Sequence, residues 1–277
     1  MRSRLTLLGM VLLIVISLSN CKKNKQDDPR QDAGEGSLNL PALDPALVNQ
    51  GKDIFRYETF GDETTWTDVL KMNEVIEAAV DPTTALSVGL KVDASALPAA
   101  VVAGIQNGSI SLTDPQTTLA LLQLNAVVGV KGQVSTTTAG TLKLDRVGIT
   151  CALCHSTVDN SFASGIGNRL DGYPNRDLDP GLIISLSPSL TAAQKAVYAS
   201  WGKGKFDPRF NHDGLNNPVV IPPAFGLYGL PKVIFTGDGD VEHETVGPVA
   251  YWNRYVSVVE MGGHGKFSDT RTGINID

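Results

Sequence analysis

The chain has 277 residues and a formal net charge of -6 at pH 7. This acidic balance argues against a nucleic-acid partner, because phosphate backbones reward clusters of lysine and arginine. Domains usually hold about 100 to 200 residues, so the length suits one large or two small domains. With 42% hydrophobic residues, the composition predicts a globular protein with a real core.

The first 20 residues have the layout of an export signal, because two arginines precede an apolar run from Leu5 to Leu18. This run is too short for a transmembrane helix, which needs roughly 20 apolar residues. Cys21 follows Leu18, Ser19 and Asn20, and it resembles the acylated cysteine of bacterial lipoprotein signals. We therefore expect a signal peptide at 1–20 and a lipid on Cys21. Plain secretion and an uncleaved anchor are the alternatives, and each of them also takes the chain out of the cytoplasm.

A charged segment follows and is predicted to be a flexible tether at 21–40. It contains few large apolar residues, so it cannot bury enough surface to fold. The remaining residues, 41–277, are predicted to form the folded body. If Cys21 carries a lipid, only Cys151 and Cys154 remain of the three cysteines, so no disulfide framework is expected.

The first part of the body has mainly helical patterns. Asp44 and Pro45 are typical of a helix start, and the apolar residues Leu47, Val48, Ile54 and Phe55 supply one face before Gly61. A second helix is predicted over 65–79, where the sequence "DPTT" is expected to end it. Two shorter helical patterns follow at 94–108 and 114–129.

The pattern then changes to β. Residues 127–149 contain β-branched residues and an alternation of Leu142 with Leu144, which predicts a hairpin leading into Cys151. Residues 165–181 are rich in Gly, Pro, Asn and Asp and are predicted to be mostly turns. A capped helix is predicted at 189–200, and a last helix carries Tyr251, Tyr255 and Val258 on one face. The predicted fold class is mainly α, with long loops and a small β-hairpin.

The sequence "VGITCALCHSTVDN" places Cys151, Cys154 and His155 in a Cys-x-x-Cys-His motif. In a haem c site, both thiols join the porphyrin vinyl groups and the histidine is the proximal iron ligand. A zinc site would need further ligands, whereas His212, His243 and His264 stand singly. A thioredoxin-like redox pair would need a βαβ context, which these loop-rich flanks do not provide. One haem c per chain is the favoured interpretation, and zinc and a redox pair are the alternatives.

A sixth iron ligand is expected from the chain, because Met and His are the usual donors. Met261 is favoured, since it ends the last helix just before two glycines that permit a tight backbone approach. The alternatives are His264, His212 and an open coordination position, and Met72 is expected to face the core. Arg169 and Arg176 follow the motif, and a guanidinium suits a haem propionate.

Several stretches together resemble an exported family related to the di-haem cytochrome c peroxidases, and they cover most of residues 51–269. These stretches are "GKDIFRYETFGDETTWTD", "VGITCALCHSTVDNSF", "GIGNRLDGYPNRDLDPG", "VIPPAFGL" and "YWNRYVSVVEMGGHGKFSD". The resemblance implies an elaborated cytochrome c-like haem-binding domain over 41–277, covalent haem c and an exported location. It also places a methionine at position 261. Members of this family usually carry a second Cys-x-x-Cys-His, whereas the present sequence contains the motif only once, at 151–155.

The expected function is that of an electron carrier. One haem would pass single electrons to redox partner proteins, in the periplasm or at a membrane surface reached through the lipid on Cys21. The first alternative is a peroxidase-like haem enzyme, or one half of a di-haem peroxidase. The second alternative is a lipid-anchored binding module in which haem is structural.

Overall fold

The computed structural model describes residues 42–208, 214–226, 253–269 and 274–276. The chain divides into two compact units, Met1–Ala42 and Leu43–Asp277, and only the second is described below. The predicted signal, Cys21 and the tether lie outside the described residues, as do His212 and His243 and the aromatic pair Tyr251 and Trp252. The structure is helix-rich, with 41% helix, and its 17% strand forms small sheets. The fold class is therefore mixed α and β, with more helix than strand.

Eight α-helices and ten strands are assigned within the described ranges. The α-helices are α1 (Pro45–Tyr57), α2 (Met72–Ala79), α3 (Pro82–Ser87), α4 (Ala99–Gln106), α5 (Pro115–Gln123), α6 (Ala152–His155), α7 (Pro180–Ser185) and α8 (Ala192–Ala199). The strands are β1 (Val92–Asp93), β2 (Val130–Thr136), β3 (Leu142–Ile149), β4 (Ser156–Val158), β5 (Ile166–Gly167), β6 (Arg169–Asp171), β7 (Lys205–Phe206), β8 (Val219–Val220), β9 (Phe267–Asp269) and β10 (Ile274–Ile276). Two π-helices, Thr64–Val69 and Val256–Glu260, and a 3₁₀ turn at Ala94–Ala96 complete the order.

Asp-Pro pairs begin four of the described helices. The side chains of Asp44, Asp81, Asp114 and Asp179 each accept a hydrogen bond from a backbone N–H of the first turn, and proline follows each one. Such caps satisfy backbone donors that have no partner within the helix. The predicted starts at Asp44 and Asp114 are confirmed. The Asp81 pair was expected to end a helix, and it also opens a new one.

The first helix leaves most of its predicted apolar face exposed. None of its 13 residues is fully buried, and Leu47 keeps 64% of its surface exposed. Phe55 is the member of this face that packs inward, against a small cluster that includes Ala152, a residue within the Cys-x-x-Cys-His motif. The helix therefore contacts the motif through the side chain of Phe55, and the carbonyl of Arg56 accepts a 3.1 Å hydrogen bond from the hydroxyl of Thr150 just before the motif.

The predicted helix over 65–79 is two elements. The amide of Leu70 bonds the carbonyl of Thr65 at 2.9 Å, which closes a π turn, and Lys71 then adopts a left-handed conformation with φ 58°. An α-helix resumes at Met72. The last helix also contains a π turn, because the amide of Met261 bonds the carbonyl of Val256 at 2.9 Å. Single π turns occur often at functional sites.

The described strands form five two-stranded sheets. The predicted hairpin is confirmed as β2 paired antiparallel with β3, with a register shift between Gln133 and Val134. The region expected to be turns contains β5 and β6, which pair with β1 and β4. The pairing of β1 with β5 is parallel, and such pairs join residues far apart in sequence, which local patterns do not reveal.

The main core lies where the hairpin packs against helices α2 and α5. Leu119, Leu122 and Leu144 are fully buried there. Gly129, just before β2, has φ 76°, and a Cβ on this residue would overlap the backbone of Leu153. The hairpin thus brings the chain directly against the cysteine motif. None of the helices in the described part of the chain is long and apolar enough to cross a membrane.

Candidate functional site

The Cys-x-x-Cys-His residues form one tight helical turn after β3. Cys151 caps the helix, and the amide of His155 bonds the carbonyl of Cys151 at 3.1 Å. Residues three and four positions apart share a helix face, so Cys151, Cys154 and His155 all line one cavity. Leu153, on the inner side of the turn, is buried. The turn therefore presents two thiols and one imidazole to the same space.

Both thiols are free and partly buried. Burial raises the pKa of Cys151 to about 11 and that of Cys154 to about 12, with a smaller contribution from the nearby charge of Glu260. Redox-active cysteine pairs instead depend on a lowered thiol pKa. The surroundings therefore disfavour the redox-pair alternative.

The ring of His155 is held by a backbone carbonyl. Its Nδ1 lies 2.9 Å from the oxygen of Pro222, and a carbonyl oxygen can only accept, so Nδ1 carries the proton and donates. The lone pair then belongs to Nε2, which is the arrangement that metal-binding histidines usually have. Burial lowers the pKa of His155, although this hydrogen bond opposes the shift. The imidazole is therefore neutral and held in one orientation, with the lone pair of Nε2 available to a metal ion.

The cavity beside this turn is mainly apolar. Its empty volume is about 1090 Å³, counting space that is open to solvent. Ligand sites in proteins are usually concave and lined mainly by apolar side chains with a few polar groups, and this cavity has that character. Apolar side chains from both halves of the folded body line it. They include Trp66, Ile76, Ile149, Leu153, Ile183 and Val256.

Met261 lines the same cavity as His155. It is 4% exposed and follows the second π turn, so the predicted ligand pair is brought to one site. Met72, expected to face the core, also lines the cavity while it packs in the main cluster. Two thioethers, those of Met72 and Met261, therefore border the cavity, whereas only that of Met261 was expected there from the sequence.

Glu260 is a cavity residue that the sequence interpretation missed. Its carboxyl lies in a mainly apolar lining, and burial raises its pKa to about 7. A carboxyl with such a pKa exists in both protonation states near neutral pH. Its position beside Met261 could have flagged it, but the sequence gives no sign that it faces inward.

His264 lies elsewhere. Its side chain is exposed, and Nε2 is 3.0 Å from the hydroxyl of Thr64, so it is absent from the cavity lining. His212, the other histidine alternative, lies outside the described residues.

The two arginines expected to bind haem propionates are not among the cavity-lining residues described. Arg169 is almost fully buried, with Nε 3.7 Å from Asp93 and 3.9 Å from Asp171, and it lies over the ring of Tyr57. Two carboxylates of the protein itself therefore flank this guanidinium, whose Nε and Nη1 make no hydrogen bond within the described residues. Arg176 is exposed at the surface.

Within the described residues, no group of three or more His, Cys, Asp or Glu side chains is placed to hold a metal ion. A structural zinc site needs four such ligands, so the described part of the chain does not build one.

Comparisons with protein-family models, with curated proteins and with solved structures give no match for this chain.

Proposed function

We propose that this chain is a c-type cytochrome that transfers single electrons. Cys151 and Cys154 would hold one haem covalently, and His155 would be its proximal ligand. The observation that carries the proposal is that both cysteines, the oriented imidazole and Met261 line a single apolar cavity.

The residues present fit this group. The pattern Cys-x-x-Cys-His is that of haem attachment, and an imidazole with its Nδ1 proton held by a carbonyl has Nε2 available for iron. A thioether is a usual second axial donor in cytochromes c. The lining of the cavity is mainly apolar, as the faces of a macrocycle require. When bound, the haem supplies reversible one-electron chemistry at its iron.

The chain's own residues set the conditions for that chemistry. Pro222 fixes the tautomer and direction of His155 through a 2.9 Å hydrogen bond. Apolar side chains such as Ile149 and Ile183 line the cavity, and an apolar surrounding is one of the means by which proteins tune a reduction potential. Met261 would complete the coordination and suit a carrier, because thioether ligation raises the potential.

Covalent attachment is tested by acid extraction followed by a pyridine haemochrome spectrum. The wild-type chain should keep one haem per chain through the extraction, with the spectrum of two thioether links. Cys151→Ala and Cys154→Ala should each shift the spectrum to that of a single link, and the double variant should release its haem. Extractable haem in the wild type, or zinc in place of iron by metal analysis, would contradict the proposal.

The axial ligand is tested with two matched methionine variants. Met261→Ala should lose the weak far-red band of the ferric state, show a lower potential and bind cyanide more tightly. Met72→Ala should keep the band, because we assign this side chain to packing. If Met72→Ala loses the band instead, the ligand is Met72. If neither does, neither methionine is the ligand.

The remaining expectations belong to the same proposal. The chain would be related to the di-haem cytochrome c peroxidases and contain an elaborated cytochrome c-like domain. It would be exported, anchored to a membrane by a lipid on Cys21, and exchange electrons with redox partner proteins.

A peroxidase-like enzyme is the second candidate, and Glu260 favours it. A carboxyl with a pKa near 7 inside the cavity can accept or donate a proton at neutral pH, as acid–base catalysis requires. The test is peroxide-dependent oxidation of a reduced donor by the chain alone. Turnover that falls strongly in Glu260→Gln would support the enzyme, and no turnover would leave the carrier.

A further inference from the structure

Two segments that are far apart in sequence meet beside the cavity. The indole Nε1 of Trp66 donates to the carbonyl of Met261 at 3.2 Å, and the hydroxyl of Thr65 donates to the carbonyl of Gly262 at 2.7 Å. The two bonds span 195 and 197 residues of sequence. Consecutive side chains of the first π-helix therefore bind consecutive carbonyls after the second.

We propose that Trp66 and Thr65 are positioning residues that place the Met261 thioether for iron ligation. This inference rests on the proposed function, in which Met261 is the axial ligand. Both residues act through the backbone of the ligand segment and need not touch iron.

The carbonyl of Met261 depends on this support. A helix end leaves its last carbonyls without partners in the helix, and Gly262 leaves the helical path with φ 76°. Trp66 is 8% exposed, and an indole can only donate, so the bond fixes one direction of approach. The carbonyl is thereby satisfied in a buried place.

Holding the backbone matters because the methionine side chain is flexible. It has three rotatable bonds and adapts to the space around it, so the sulfur position depends on where the main chain is fixed. Trp66 also lines the cavity and packs in the main core, so the donor itself is held firmly. The ligand segment is in this way tied to the rigid part of the fold.

Thr65 and Gly262 approach each other closely. A Cβ on Gly262 would lie 2.6 Å from the hydroxyl oxygen of Thr65, well inside normal contact. The left-handed backbone at this position also disfavours any residue other than glycine. Thr65 therefore occupies the space that the missing side chain leaves, and the two segments approach as closely as their backbones allow.

The first test is Trp66→Phe, which keeps an apolar ring and removes the N–H donor. We expect full haem content, a weaker far-red thioether band, a lower potential and a rise of about 2- to 10-fold in cyanide affinity, the range that one net hydrogen bond allows. Trp201→Phe is the matched control, because it removes a buried indole donor that bonds Asn216 at 2.9 Å, in the main core. It should change stability and leave the band and the potential unaltered.

The second test uses Thr65→Val and Thr65→Ser, and it decides the matter if Trp66→Phe does not fold. Valine removes the hydroxyl at nearly constant shape and should weaken the band, and serine should restore it. In a Met261→Ala background, Trp66→Phe should have no further effect on cyanide affinity. An unchanged band in both Trp66→Phe and Thr65→Val would overturn the inference if their haem content is normal. A wild type without covalent haem would overturn the proposed function itself.

Discussion

Replacing Gly129 with alanine should damage the cysteine turn. Gly129 has φ 76°, and an added Cβ would overlap the amide nitrogen and Cα of Leu153, which are backbone atoms and cannot rotate away. A non-glycine residue in a left-handed conformation costs about 1–2 kcal/mol. Forcing packed atoms apart costs about 1–3 kcal/mol more. Gly129→Ala should therefore lower the free energy of unfolding by about 2–5 kcal/mol and reduce covalent haem content.

Gly140 supplies the matched control. It lies in the hairpin turn with φ 83°, and a Cβ there would meet nothing within 4 Å. Gly140→Ala should cost only the backbone strain, about 1–2 kcal/mol, and leave haem content unchanged. Urea denaturation and the haemochrome assay give the two measurements. Equal losses of stability in both variants would refute the argument that Gly129 is needed for the close approach to Leu153.

Three further predictions concern stability and anchoring. Burial raises the pKa of Asp62 to about 8, above its value of about 4 in the unfolded chain, so the folded state binds more protons between these values. The free energy of unfolding should therefore fall by up to about 1.4 kcal/mol per pH unit as the pH rises from 4 to 8, and Asp62→Asn should flatten this slope in denaturation series. Arg169→Met should cost about 3–5 kcal/mol, because it removes the cation beside the buried Asp93 carboxylate, whereas Arg146→Met, at an exposed pair, should cost under about 1 kcal/mol by the same assay. Cys21→Ala should abolish acyl labelling and detergent partitioning while haem is retained, and loss of haem would contradict the assigned roles of the three cysteines.

Local chemistry made parts of the fold predictable. The Asp-Pro pairs at Asp44 and Asp114 locate helix starts because capping acts within one turn of the chain. The hairpin was predictable because alternation and a glycine-containing turn are encoded in neighbouring residues. The break at Lys71 was not predictable from the sequence. Its φ of 58° divides the helix where both parts pack against β3, and that contact depends on the tertiary fold.

The candidate site divides in the same way. Cys151, Cys154 and His155 were identified as candidate site residues because all three lie in one short motif. The structure brings Met261 to the cavity that they line. The carbonyl that holds His155 belongs to Pro222, 67 residues away, and nothing in the local sequence indicates such a contact. Arg169 was assigned to a cofactor by its closeness in sequence to the motif. Its actual partners, Asp93 and Asp171, include one that only the tertiary fold brings near.

The bond between Trp66 and Met261 also sets an order of events during synthesis. Its two partners are 195 residues apart, and ribosomes add roughly 5 to 20 residues per second, so about 10 to 40 seconds separate their appearance. The cysteine turn ends at His155, 106 residues before Met261, so for about 5 to 20 seconds of that interval the turn has been synthesised while one side of its cavity has not. A bulky group could therefore reach the two thiols through a wide opening, and the last segment of the chain would close over it afterwards.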